Sequence, residues 1–467
     1  MSRFWEDSST MSGARVHAGD EGWLRGEDLV RRADAAVADL PPRSVFALRF
    51  ATNAASVAVY LGALRRGHVP LLIGTDLSAE MLDPLCRRFG IGRLFDGTTW
   101  TSVGAGALAS PAVHPSLGLL MSTSGSTGSP KLVRLSLENL AANAGSIREY
   151  LALATDDVAI TSLPLSYSYG LSVLNSHLAV GAGIVLSDSA VTTPAFWNLV
   201  RAEGVTGLTG VPTTWRMLRR MRFERMDLPN LRHMTQAGGR LDPEEIVWLG
   251  ELAQRTGRRA FIMYGQTEAT ARIAYLPPTR VLDKPGSIGQ AIPGGELWLI
   301  DTDGAPVTTA DVEGQLVYRG PNVMLGYAES AQDLALGATL TSLPTGDLAR
   351  QDAEGHFWIT GRLKRFVKLF GNRFGLDEVE QHLRTLGLDA GAVGRDDALM
   401  IGVVTDTDSA AALRLTLATR YHVHPSAIQV HALATLPRNS AGKLLHGELQ
   451  QALDRLTATG ATSGVSP

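Results

Sequence analysis

Residues 117–137 read LGLLMSTSGSTGSPKLVRLSL, and this stretch decides the fold. Leu117–Met121 is an unbroken apolar run of strand length, and Leu132–Leu137 is apolar with polar interruptions, so the spacing predicts two strands joined by a loop. The loop holds Thr123, Ser124, Gly125, Ser126, Thr127, Gly128, Ser129, Pro130 and Lys131. Small hydroxyl and glycine residues let backbone N–H groups approach phosphate oxygens closely, and the terminal ammonium adds charge. The pattern is not a Walker loop, because Pro130 precedes Lys131 and Leu132 follows it. It is not the Gly-x-Gly-x-x-Gly dinucleotide fingerprint either. A Ser/Gly linker would have the same composition, but a loop between two strands makes a poor linker.

Outward from the loop, helix and strand patterns alternate. Glu27–Leu40 reads as a helix, Ser44–Phe50 as a strand, Asn53–Arg66 as a helix and His68–Ile73 as a strand. The alternation continues to about residue 220, through a helix at Tyr169–Ala182, and predicts α/β layers with largely parallel sheets. Further strands are expected at Gly207–Gly210, His233–Gln236 and Ala260–Tyr264. Between residues 286 and 330 short strands alternate with Gly and Pro turns, which predicts a small β subdomain or barrel. After Gly361 a compact α+β unit is expected, with a helix at Leu376–Leu386.

A chain of 467 residues calls for more than one core. Its net charge of −3 argues against general nucleic-acid binding. Cys86 is the single cysteine, so there is no internal disulfide, which fits a reducing cytoplasm. No uncharged apolar run reaches the length of a membrane span, and no basic-then-apolar leader opens the chain. Met11 is a second candidate initiator. Of 43 basic residues only five are lysine: Lys131, Lys284, Lys364, Lys368 and Lys443. A chain that defaults to arginine places lysine where a compact ammonium on a flexible stem is wanted.

Five further segments carry chemistry. MYGQTE, with Tyr264, Gly265, Thr267 and Glu268, offers a stacking face, a phosphate contact and a magnesium ligand. QAGGR ends a strand in Gly238 and Gly239, so a flat ligand can lie against bare backbone. TGD presents Asp347, a carboxylate able to accept two hydroxyls, and GRLKRFVK presents Arg362. PRNSAGK presents Lys443 near the C-terminus.

In this order the segments resemble the acyl-adenylate-forming (AMP-binding) superfamily, which includes acyl-CoA synthetases, adenylation domains of peptide synthetases and luciferases. The resemblance covers roughly residues 25–450. It implies an α/β fold: a large N-terminal domain of two α/β subdomains plus a small β-barrel (1–361), hinged to a small α+β C-terminal domain (362–467). It also implies roles. Thr123–Lys131 would hold the β- and γ-phosphates of ATP, and Gly238, Gly239 and Tyr264 would sandwich the adenine, beside Gly265. Thr267 would touch the α-phosphate, and Glu268 would bind Mg2+. Asp347, helped by Arg362, would take the ribose hydroxyls. Lys443 would bridge the substrate oxygen and the α-phosphate, and Lys364 falls at the hinge.

Many acyl-CoA synthetases carry a histidine in the segment that here reads PLSYSYG, where this chain has Tyr167 and, two residues on, Tyr169. Both are read as walls of an acyl pocket, with Thr213 and Ala269. His446 is read as solvated. The expected enzyme is a freestanding AMP-forming ligase, since 24 residues follow Lys443 and leave no room for a carrier segment. It would adenylate a small or medium carboxylic acid and pass the acyl group to CoA or to the phosphopantetheine thiol of a separate acyl carrier protein. The alternative within the fold is a diazotase-like enzyme joining nitrite to an aryl amine. A nucleotide-binding regulator that has lost catalysis is disfavoured by the presence of both Lys443 and Glu268.

Overall fold

The structure, a computed structural model, describes residues 3–104, 111–122, 131–363, 365–369, 372–395, 398–421, 423–439 and 442–461. The strands flanking the opening loop form as expected, over Leu117–Ser122 and Leu132–Ser136, and pair antiparallel with Ser122 opposite Leu132. The two strands are therefore direct neighbours in the sheet, and residues 123–130 between them lie outside the described residues.

Two large sheets build the first part of the chain. The loop strands belong to a seven-stranded sheet that also contains the parallel strands Val45–Arg49 and Val69–Ile73. The second sheet has nine strands, and its centre is parallel: Gly183–Val185, Val158–Ile160, Gly207–Gly210, His233–Gln236 and Arg259–Tyr264. Both faces of such sheets are covered, and these strands are almost wholly buried. Local sequence sets the helices between them. Asn53 caps Ala54–Arg66 by accepting from Ser56 N at 2.8 Å, and Gly67 ends it at φ +71°. Ser136 and Asn139 form a reciprocal capping box at the start of Leu137–Leu151.

The chain enters this architecture earlier than residue 25. Arg15–His17 adds to the nine-stranded sheet beside Gly183–Val185, followed by Trp23–Arg25. Trp5 is fully buried ahead of them.

The small β part is a four-stranded antiparallel sheet in the order Glu296–Ile300, Glu313–Arg319, Leu343–Gln351, Phe357–Arg362. Among the described residues its two edge strands do not pair with each other, so it stays open rather than closing into a barrel, and it runs past residue 330 to Arg362. The C-terminal unit has its own core around Leu383, Leu399, Ile401 and Leu417. There Ala390–Arg395, Ala398–Val404 and Ile428–Leu433 form a three-stranded sheet packed by the helices Leu376–Thr385 and Thr407–Tyr421. Among the described residues no helix is long and apolar enough to cross a membrane.

Candidate functional site

The carboxyl ends of the central parallel strands, where open α/β sheets bind ligands, bring the nucleotide-side residues together. Tyr264 ends Arg259–Tyr264, and its hydroxyl donates to Asp347 Oδ2. Arg362 Nε donates to Asp347 Oδ1 at 2.8 Å. The antiparallel register causes the second contact, since Asp347 and Arg362 are paired residues of neighbouring strands. Burial, and then the Asp347 charge, push the Tyr264 phenol well above its usual range and keep it neutral. Asp347 is almost fully buried, and a carboxylate with two donors still has lone pairs free for hydroxyls.

The turn after Tyr264 is held by close backbone approach. A Cβ at Gly265 would lie 1.8 Å from Ala271 O, so this glycine serves the turn. Thr270 and Ala271 both take positive φ, at 56° and 110°. Asn322 fastens the turn by donating to Ala269 O at 2.7 Å and Arg272 O at 2.8 Å. Thr267 Oγ1 then sits 3.3 Å from Ser168 Oγ, and Glu268 Oε1 accepts from the Tyr327 hydroxyl at 2.7 Å. Glu268 has no ion-pair partner among the described residues and keeps a second oxygen for a cation. Gly238 takes φ +81°, and a Cβ there would lie 2.7 Å from the Tyr167 hydroxyl and 3.0 Å from Val211 Cγ1. Gly239 would meet only Pro212. A side chain at Gly238 would therefore collide with Tyr167 and Val211, and the glycine lets these close approaches stand.

Lys443 reaches this cluster from the C-terminal unit. Its loop is closed by Asn439, whose Oδ1 accepts from Lys443 N at 2.8 Å, and by Gly442 at φ +75°. Gly442 abuts the large part: a Cβ on it would lie 2.7 Å from Thr213 Oγ1. Asp242 receives Gln381 Nε2 at 3.3 Å and has Arg384 Nε at 3.8 Å, further contacts across the same seam. Burial lowers the Lys443 pKa, and Arg362 lowers it further against the attraction of Glu268 and Asp347. The ammonium therefore lies within electrostatic reach of three predicted site residues.

The acyl-side residues are placed less openly than expected. Tyr169 is buried, with its hydroxyl donating to Thr235 Oγ1 at 3.1 Å, and Tyr167 packs edge-on to it at 6.4 Å. Thr213 lies in the first turn of the helix Pro212–Arg220, beside Gly442. Ala269 is fully buried under Asn322 and offers no open wall. A cavity borders Ser168, Asn143 and Thr270.

Other sequence readings are redistributed. Thr123, Ser124, Gly125, Ser126, Thr127, Gly128 and the hinge Lys364 lie outside the described residues. Lys131 pairs with Glu329 at 2.5 Å. Lys284 is buried between Asp352 and Glu354 (2.7 Å) and serves structure. His446 is not solvated: its Nε2 lies 2.9 Å from Glu380 Oε1, which also receives Arg365 Nη2 and Ala392 N, each at 2.9 Å. Burial opposes ionisation of Glu380, but the His446 hydrogen bond and the Arg365 charge outweigh it and hold its pKa at about 2. Cys86 is buried, and burial pushes its thiol up to about 11.

Sequence reading missed Tyr327 and Arg272. Arg272 is 3% exposed, and its guanidinium lies 4.0 Å from the Tyr169 ring centroid. Its one signal is a charge opening the apolar run Ile273–Leu276.

The family described as AMP-binding enzyme matches residues 96–328. An indoleacetate–CoA ligase of Aromatoleum aromaticum is 31% identical over 360 residues, which cover 74% of this chain and 69% of that protein. The o-succinylbenzoate CoA synthetase (MenE) of Bacillus subtilis, solved with its acyl-adenylate intermediate, shares the fold at a TM-score of 0.79 and 23% identity, covering 96% of this chain and 98% of that one. The same enzyme solved with ATP and magnesium superposes at a TM-score of 0.77 and 22% identity, covering 96% and 99%. With the curated relative matched over more than two thirds of its length, the chain belongs to the AMP-binding enzyme family.

Proposed function

We propose that this protein is an AMP-forming acid–thiol ligase of the cytoplasm. It adenylates a carboxylic acid with ATP and transfers the acyl group to CoA or to a carrier-protein thiol. The observation that carries the reading is that Gly442, next to Lys443, abuts Thr213 of the large part, which leaves the Lys443 ammonium in the electrostatic field of Glu268, Asp347 and Arg362. Attack of a carboxylate on the α-phosphate brings two anions together, and a positioned ammonium stabilises the charge that develops. Arginine would serve poorly, because its planar fork demands another geometry.

The residues fit ATP and Mg2+. Asp347, oriented by Tyr264 and Arg362, would accept the ribose hydroxyls, and Tyr264 with the backbone of Gly238 and Gly239 would flank the base. Thr267 would contact the α-phosphate, and the Thr123–Lys131 segment would hold the pyrophosphate that leaves. Mg2+ held by Glu268 would neutralise phosphate charge during displacement. A hinge at Lys364, just past the strand that ends at Arg362, would let the C-terminal unit turn after adenylation, withdraw Lys443 and admit the thiol.

The test is ATP–pyrophosphate exchange across a panel of carboxylic acids and nitrite. Exchange driven by at least one carboxylic acid, followed by thioester formation with CoA or carrier protein, is expected. Exchange with nitrite and with no carboxylic acid would overturn the reading in favour of the diazotase-like alternative.

A further inference from the structure

The mechanism above leaves one buried charge unused. Arg272 is 3% exposed and has no carboxylate within ion-pair distance among the described residues. Its Nε is buried without a hydrogen-bond partner. Its side chain meets the Tyr169 ring face at 4.0 Å and lies near the Tyr150 hydroxyl, which itself donates to Met263 Sδ at 3.0 Å. A ring face and a neutral hydroxyl offset only part of the cost of desolvating a guanidinium.

The setting is the acyl side of the site. Tyr167 and Tyr169 follow Leu165 and Ser166 in the PLSYSYG segment, and both feel the Arg272 charge. The Tyr167 hydroxyl lies against Gly238. The Arg272 backbone carbonyl accepts from Asn143 Nδ2 at 3.3 Å, and Asn143 lines the cavity that reaches Ser168, the hydroxyl next to Thr267.

We propose that Arg272 recognises a second anionic group on the acid substrate, so that the substrate class is a dicarboxylic or sulfonated carboxylic acid rather than a monoacid. One carboxylate is activated beside Thr267 and Lys443. The other anion pairs with the guanidinium on the Tyr169 face, with the Tyr150 hydroxyl alongside. Arginine suits this place because its fork matches a carboxylate or sulfonate bidentately. A monoacid in the same pocket would leave the buried charge unpaired, and buried polar groups left unpaired reject analogues strongly.

This inference rests on the ligase reading, and the experiment separates the two. Pyrophosphate exchange by the wild-type chain is measured with succinate, glutarate, phthalate and 3-sulfopropionate, and with butyrate, valerate, benzoate and monomethyl succinate. Exchange is expected with one or more of the dianions, and roughly 10²-fold or more below that with the matched monoanion. The 3-sulfopropionate arm decides between a sulfonate and a second carboxylate. Arg272→Met is expected to invert the preference toward the monoanion or half-ester, with Arg272→Lys intermediate. A merely structural role would lower all acids alike. A monoanion as best substrate, with the preference unchanged in Arg272→Met, overturns this inference and leaves the ligase reading standing. No exchange with any carboxylic acid overturns both.

Discussion

Arg134 and Arg272 are both arginines in apolar sequence, and both are buried, at 0% and 3% exposure. Their surroundings differ completely. Arg134, on the strand Leu132–Ser136, donates to four backbone carbonyls: Tyr327 O at 3.2 Å, Leu325 O at 3.3 Å, Gly337 O at 3.4 Å and Leu336 O. It fastens the segment 325–337 to the seven-stranded sheet. Arg272 has a ring face and a hydroxyl, and an Nε with nothing to donate to. The carboxylates repeat the contrast. Glu380 is held by His446, Arg365 and Ala392 N, whereas Glu268 is held by the Tyr327 hydroxyl. Charges that serve the fold are saturated by the protein, and charges that serve the site keep valences open for a ligand.

The widest gap in this comparison is expected in stability. Arg134→Met leaves several buried carbonyls without donors and is expected to cost about 3 kcal/mol or more. Arg272→Met leaves no carbonyl unpaired and is expected to change stability by no more than about 1 kcal/mol, or to raise it. Denaturant unfolding of both variants checks this, and equal losses would erase the distinction.

The carboxylate pair is sharpened by acid. Glu380 titrates at about 2 in the folded chain against an ordinary value of 4.5. Its contribution is fully present above pH 4.5 and is lost as pH falls toward 2. The shift corresponds to about 3 kcal/mol. Glu380→Gln is expected to flatten the loss of stability between pH 4.5 and 2, and an unchanged acid profile would show that the clamp carries no such energy.

A smaller effect is expected at alkaline pH. Burial, then Arg362, hold the Lys443 pKa below its usual 10.5. If Lys443 serves adenylation as proposed, the protonated amine is required, so exchange is expected to fall as pH rises through that lowered value, before pH 10.5. Lys443→Arg stays protonated and is expected to lose this limb along with part of its rate. The exchange rate across pH 7–10.5 is the measurement, and a limb kept in the variant would assign it elsewhere.

Much of this was legible in sequence, for stated reasons. Strands such as Val69–Ile73 and Arg259–Tyr264 are short, largely apolar runs, and they form within a residue of their reading. Tyr264, Asp347 and Arg362 lie in Gly-containing segments whose chemistry is visible locally, and register then joins them. The N-terminal strand Arg15–His17 was not legible, because three residues carry no period and pairing with Gly183–Val185 decides them. Nor was the His446–Glu380 pair, which spans 66 positions. Arg272 shows why the rest stays hidden. A charge in an apolar run is the same signal at Arg134, and only the partners that folding supplies separate the fastener from the receptor.

The central claim is that Lys443 serves adenylation alone, in the arrangement that brings Gly442 against Thr213. The most direct measurement is the pair of half-reactions in Lys443→Ala. Pyrophosphate exchange is expected to fall about 10²–10³-fold, while conversion of a supplied acyl-adenylate to the thioester stays near the wild-type rate. Exchange at the wild-type rate, or equal loss in both half-reactions, would contradict the account.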